Sequence, residues 1–146
     1  MSLRRLLADD RLRRLPPSSS EVADLLRVVE RDLADARVDG VSGDRRFATA
    51  YNAALQLATI ALRAEGYRTR GTAHHHTTII ALPMILGPEA QDTSDYLDAC
   101  RSRRNTVDYD GIGIATEADV TELIDETEKL RAAVLGWLND THSELI

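Results

Sequence analysis

Cysteine is almost missing from this chain: Cys100 is the only one among 146 residues. One thiol excludes an internal disulfide and a cysteine-built zinc site, and it suits a reducing compartment. Long apolar runs are missing too. No stretch approaches the roughly 18 consecutive apolar residues that mark a membrane-spanning helix. The N-terminal residues pass from two arginines into Ala8-Asp9-Asp10-Arg11 without the apolar centre of a secretory signal. The expectation is a soluble cytoplasmic protein that avoids membranes. Positive charge is also in deficit, since 24 acidic against 18 basic side chains leave a formal charge of -6. The diffuse field of a general nucleic-acid binder is thereby excluded, and any contact with nucleic acid must be local. Sustained period-two alternation of β-branched residues is absent, which argues against a large sheet.

What remains is helix. The chain is long enough for one domain with a real core and has no break in composition that would divide it. We read residues 1–19 as an N-terminal arm or short helix, 20–140 as the bundle and 141–146 as a tail. Pro16-Pro17 followed by Ser18-Ser19-Ser20 stops one element and offers N-caps for the next. Val22, Leu25, Leu26, Val29, Leu33 and Ala36 then recur at helical spacing. A second helix is expected from about Asp44 to Glu65, stopped by Gly66. It is apolar nearly all round and rich in alanine, which predicts a central helix buried on several sides and a homodimer to cover it. Thr72 is the expected cap of a third helix, which Pro83 should bend or end. A fourth runs from about Asp92 to Val107, Gly111 and Gly113 make a turn, and Thr116-Glu117-Ala118-Asp119 has the form of a capping box opening a last helix that reaches about Asn139. Short connections between long helices predict an all-α, antiparallel up-and-down bundle.

Two polar clusters stand out. Arg101, Arg103 and Arg104 precede Asn105 and Tyr109 at the end of the fourth helix. Arg101 and Arg104, three apart, share a helical face, so their forked guanidinium groups can grip one phosphate or carboxylate. The structural alternative pairs Arg104 with Asp108 at i,i+4 spacing and packs Tyr109 as a helix terminus. The second cluster is His74-His75-His76. Adjacent helical side chains diverge by about 100°, so the three cannot converge on one ion, and no metal or other cofactor is expected. A place at a helix start favours the neutral imidazole, which can act as a base. Gly111-Ile112-Gly113 lacks the third glycine and the preceding strand of a nucleotide-binding fingerprint.

Arg104-Asn105-Thr106-Val107-Asp108-Tyr109 resembles the Arg, polar residue, three variable residues, His motif of HEPN-domain proteins, with Tyr109 where that motif has histidine. The order of parts is similar as well: a long alanine-rich helix, the Gly66-Tyr67-Arg68 exit, a helix opening on histidines, and a following helix ending in Arg-Asn plus an aromatic. The resemblance covers about residues 20 to 140. It implies a helical bundle that dimerises and a place among metal-independent RNases, inactive RNA-binding forms, and partners of small nucleotidyltransferases in toxin-antitoxin pairs. It also implies that Arg104 steadies phosphate, with Asn105 beside it and Tyr109 in the histidine's place. A phenol, whose ordinary pKa is near 10, does not replace imidazole in proton transfer at neutral pH. The expected function is therefore an RNA-associated or partner-binding component of a toxin-antitoxin, defence or stress system with weak or no nuclease activity. Arg101, Arg103 and Arg104 are its candidate nucleic-acid contacts. The alternatives are a metal-independent endoribonuclease, in which Tyr109 or one of His74, His75 and His76 supplies the missing chemistry, and a structural protein-interaction domain.

Overall fold

The computed structural model describes residues 1–109 and 113–146, and their side chains except those of 106–109. The chain is mostly helical. In order it forms α1 (Leu3–Ala8), β1 (Leu12–Arg14), α2 (Ser19–Ala36), α3 (Gly43–Ala64), β2 (Tyr67–Thr69), α4 (His74–Ile80), α5 (Leu82–Leu86), α6 (Gln91–Tyr109) and α7 (Glu117–Thr141). Single 3-10 turns at Pro88–Ala90 and Ser143–Leu145 precede α6 and follow α7.

The N-caps obey local chemistry. Ser18 and Ser42 accept from the backbone N–H groups of Glu21 and Arg45. Thr116 and Asp119 complete a reciprocal capping box at the start of α7. At α4 the expectation fails: the helix follows Ala73, not Thr72, and Ala73 adopts φ 46 without a side-chain cap. Helix α4 is held from outside instead. Arg11 donates to Thr77 at 2.9 Å, and Ser94 on α6 donates to the Ile79 carbonyl at 2.9 Å. Pro83 acts as anticipated, since α4 gives way to α5 at Ala81 and Pro83 stands in the first turn of α5.

Helix α3 is the axis of the core. Phe47, Tyr51, Leu57 and Ile60 are buried, and alanines 50, 53, 54, 58 and 61 let neighbouring helices approach closely. Helices α2 and α7 pack along it, with α4, α5 and α6 on its remaining sides. The apolar surface that suggested a second copy is thus covered within the chain, so burial of α3 does not itself require a dimer.

Of the two forms the sequence allowed for residues 1–19, the short helix is present as α1, and it is docked: Leu6 and Leu12 are buried with Leu62 and Ala81 in a small second cluster. The strand β1 pairs antiparallel with β2, Leu12 opposite Thr69 and Arg14 opposite Tyr67. Two three-residue strands carry no alternation long enough to read in a sequence, and their pairing joins segments more than fifty positions apart. The expected tail is also docked, because Leu145 enters the main core. Trp137 lies half-buried at the core margin with its ring edge-on to His142, centroids 5.0 Å apart.

Among the described residues, no helix is long and apolar enough to cross a membrane.

Candidate functional site

Helix α4 crosses α3 and α6 and delivers its three histidines in three directions. His74 Nδ1 lies 2.9 Å from the Thr69 hydroxyl, His75 Nδ1 lies 3.3 Å from the Tyr51 hydroxyl, and His76 Nδ1 lies 2.9 Å from Asp98 on α6. The divergence expected of adjacent helical residues is therefore realised. Among the described residues, no set of three histidine, cysteine or carboxylate side chains is gathered as metal ligands.

Arg101 donates through Nε to the same Asp98 oxygen, at 2.9 Å. Burial pushes the Asp98 carboxyl up, but the hydrogen bonds from His76 and Arg101, with their charges, outweigh it and hold the group below its ordinary range. Asp98 thereby ties α4 to the arginine end of α6. A cavity of about 380 Å³ opens at this junction, lined by Ala73, His74, His75, His76, Arg101 and Asn105.

The electrostatics around His75 follow from its neighbours. Burial is the largest cause of its lowered pKa, and the positive charges of Arg104 and Arg101 act in the same direction. Those two arginines also act on Tyr51, where burial outweighs them and pushes the phenol up to about 12. His75 is accordingly a neutral imidazole at pH 7. In the tautomer whose Nδ1–H donates to the Tyr51 oxygen, Nε2 keeps its lone pair and can accept a proton.

No family model matches this chain, and comparison with curated proteins and with solved structures finds no match either.

Of the residues singled out in the sequence, Arg101, Asn105 and the three histidines line one cavity, and Arg104 acts electrostatically on His75 within it. Arg103 is engaged elsewhere. Its guanidinium donates to the Ile114 carbonyl at 2.9 Å and to Asp119 at 2.5 Å, and lies 5.7 Å from the centre of the Phe47 ring. That geometry fastens α6 to the start of α7. The Tyr109 side chain, the Arg104–Asp108 pairing and Gly111 lie outside the described residues.

Sequence reasoning missed Asp98 and Tyr51. Asp98 had a local signal, three positions before Arg101 on the same helix face. Tyr51 had none, because only the packing of α3 against α4 brings it to His75.

The neutral state of His75 has a measurable consequence. As pH falls through about 6.5, the ordinary histidine value, the unfolded chain takes up a proton before folded His75 does. The associated stability is therefore complete above that pH and declines as pH falls towards the folded pKa. In an NMR titration the His75 ring should show a midpoint below the ordinary value, and Arg104→Ala should move it upward. A His75 midpoint at or above the ordinary value would remove the neutral imidazole from the site.

Proposed function

We propose that this chain is a HEPN-like, RNA-associated domain that grips phosphate between the arginine end of α6 and the histidines of α4. One observation carries the reading: Arg101 and Asn105 from α6 and the three histidines from α4 line one cavity. A phosphodiester has one negative charge and two non-bridging oxygens, which suit forked guanidinium donors and an amide. The acidic character of the whole chain makes such binding local, modest and salt-dependent.

The resemblance supplies the setting: a toxin-antitoxin, defence or stress system, an antiparallel bundle that forms a homodimer with its motifs around a shared cleft, and a small nucleotidyltransferase as partner. With Tyr109 in place of the motif histidine, nuclease activity is weak or absent in this reading.

A second reading, a metal-independent endoribonuclease, is favoured by His75, because an imidazole that is un-ionised near neutral pH has a lone pair free to take a proton. The 2′-hydroxyl proton passes to His75 as the 2′-oxygen bonds to phosphorus. The bond to the 5′-oxygen breaks, that oxygen takes a proton from water, and the hydroxide left behind recovers the proton held by His75. The products are a 2′,3′-cyclic phosphate and a 5′-hydroxyl.

The test is binding of short single-stranded RNA and DNA across a salt series, with chelator present and intact RNA measured in parallel. RNA that binds without being cut, with affinity falling about tenfold in Arg104→Ala, supports the first reading. Cleavage that persists in chelator and disappears in His75→Gln favours the second. Absence of RNA binding overturns both and leaves the structural-interaction alternative.

A further inference from the structure

The β1–β2 ribbon carries charge that its own stability does not explain. Arg13 and Arg68 stand directly opposite each other in the antiparallel register, and both are exposed. Residues opposite one another share a face of the ribbon, and like charges in that relation destabilise it. Leu12 is buried, so by alternation Arg13 and its partner take the outward face. One charge on either strand would suffice to keep the open edges from pairing with another chain. Two facing each other exceed that need.

The neighbouring groups do not neutralise them. Residues 1–15 and 66–70 hold seven arginines against two aspartates, in a chain whose formal charge is -6. Asp9 is bonded to Arg5, and Asp10 is paired with Arg70 at 3.3 Å. Arg14 lies 5.3 Å from the centre of the Tyr67 ring. Among the described residues, Arg13 and Arg68 have neither an ion pair nor a side-chain hydrogen bond. The ribbon beneath them is anchored, since Leu12 packs with Leu6, Leu62 and Ala81, and Arg11 bonds to Thr77 on α4.

The place of this pair in the fold points to its ligand. Arg68 and Thr69 border a cavity of about 350 Å³ together with His74 and His75, and those two histidines also line the cavity of Arg101 and Asn105. The Thr69 hydroxyl lies 2.9 Å from His74 Nδ1, so ribbon and histidine helix touch. A strand leaving the Arg101 position past His74 meets the ribbon next. Single-stranded nucleic acid carries a negative charge at every phosphate, and proteins that bind it lay positive charge along its backbone.

We infer that the outward face of the β1–β2 ribbon is a second phosphate contact for single-stranded RNA, made by Arg13 and Arg68 and reached from the Arg101 cavity past His74. It rests on the RNA-binding reading above and extends the path of the strand across the start of α4.

The experiment compares a single-stranded RNA of about ten nucleotides, a length such surfaces cover, with a dinucleoside monophosphate, whose single phosphate fills the Arg101 position alone. Calorimetry follows the first, and NMR of the histidine rings the second. Arg13→Gln combined with Arg68→Gln should weaken the longer RNA about tenfold, a modest loss because both groups are exposed. The dependence of log affinity on log salt should flatten by about 1.4, two contacts at roughly 0.7 each. Binding of the dinucleoside monophosphate should not change. Arg13→Glu should weaken the longer RNA further and yet raise the melting temperature by about 2 °C, because glutamate opposite Arg68 replaces repulsion by attraction. A lowered melting temperature in both variants would show that the arginines serve the fold, and overturns the inference. Binding of the longer RNA that depends on Arg104 but is indifferent to both variants overturns the ribbon contact and leaves the phosphate reading standing. Equal weakening of the two ligands does the same, because the ribbon is then no additional position. Capture by vesicles of anionic phospholipid, lost in Arg13→Glu while RNA binding is unchanged, assigns the face to a lipid surface and likewise overturns the RNA contact. Failure of both RNA ligands to bind overturns both readings together.

Discussion

Replacing Arg101 and Arg104 together by alanine is expected to weaken binding of short single-stranded RNA about a hundredfold. Each charge-assisted hydrogen bond to phosphate contributes roughly 1.5–3 kcal/mol, and about 1.4 kcal/mol is a factor of ten. Removing two such bonds, each at the lower end of that range, gives the hundredfold figure. The dependence of log affinity on log salt should also flatten by about 1.4, because each phosphate contact on a single strand releases roughly 0.7 of a counterion. Removing Arg101 has a local side effect, since Asp98 then keeps His76 but is deprived of the Arg101 guanidinium. The single variants separate the contributions. Attachment of α6 should survive, because Arg103 and Ser94 still fasten it to the start of α7 and to α4. Unchanged affinity and an unchanged salt slope in the double variant would place RNA binding, if observed, on some other surface.

Arg63→Met should lower the stability of the folded chain by about 3 kcal/mol, the lower end of the range for breaking a buried, hydrogen-bonded charge pair. Arg63 is the hub between the N-terminal segment and the end of α3. Its side chain, only 7% exposed, donates to the carbonyls of Leu15, Pro16 and Tyr67 at 2.9–3.0 Å and to Glu21 at 2.5 Å. Methionine preserves much of the apolar stem and none of the donors, leaving these carbonyls and a 40%-exposed Glu21 without their partner. The partial exposure of Glu21 is why the lower end of the range applies. For a chain of this size the melting temperature should fall by roughly 10 °C. Arg63→Lys should recover only part of the loss, because one ammonium cannot reproduce a planar fork that spans separate acceptors. Urea and thermal unfolding measure both variants. A loss below about 1 kcal/mol for Arg63→Met would show that the carbonyls find water and that the hub contributes little.

Residues near one another in sequence carried the elements. The serine caps, Gly66 after α3, Pro83 at the α4–α5 break, the capping box at Thr116 and the apolar spacing of α2 and α7 all act within a few positions of themselves. For that reason the mostly helical character and the approximate bounds of the long helices could be read from the chain alone. The polar clusters were legible for the same reason, since Arg101, Arg104 and Asn105 are helix neighbours and His74 to His76 are consecutive.

What tertiary structure decided was which of these groups meet. His75 gains its neutral state from burial and from arginines some thirty positions away, Tyr51 reaches it from α3, and Arg103 is drawn out of the cluster by Asp119 and the Ile114 carbonyl. The ends of the chain followed the same rule. Leu6, Leu12 and Leu145 find their partners across the fold, and no local pattern distinguishes a docked three-residue strand or terminal turn from a loose one. Periodicity and capping depend on bonds between close neighbours, which a sequence displays. Burial, charge fields and the pairing of two short strands depend on distances that exist only after the chain has closed upon itself.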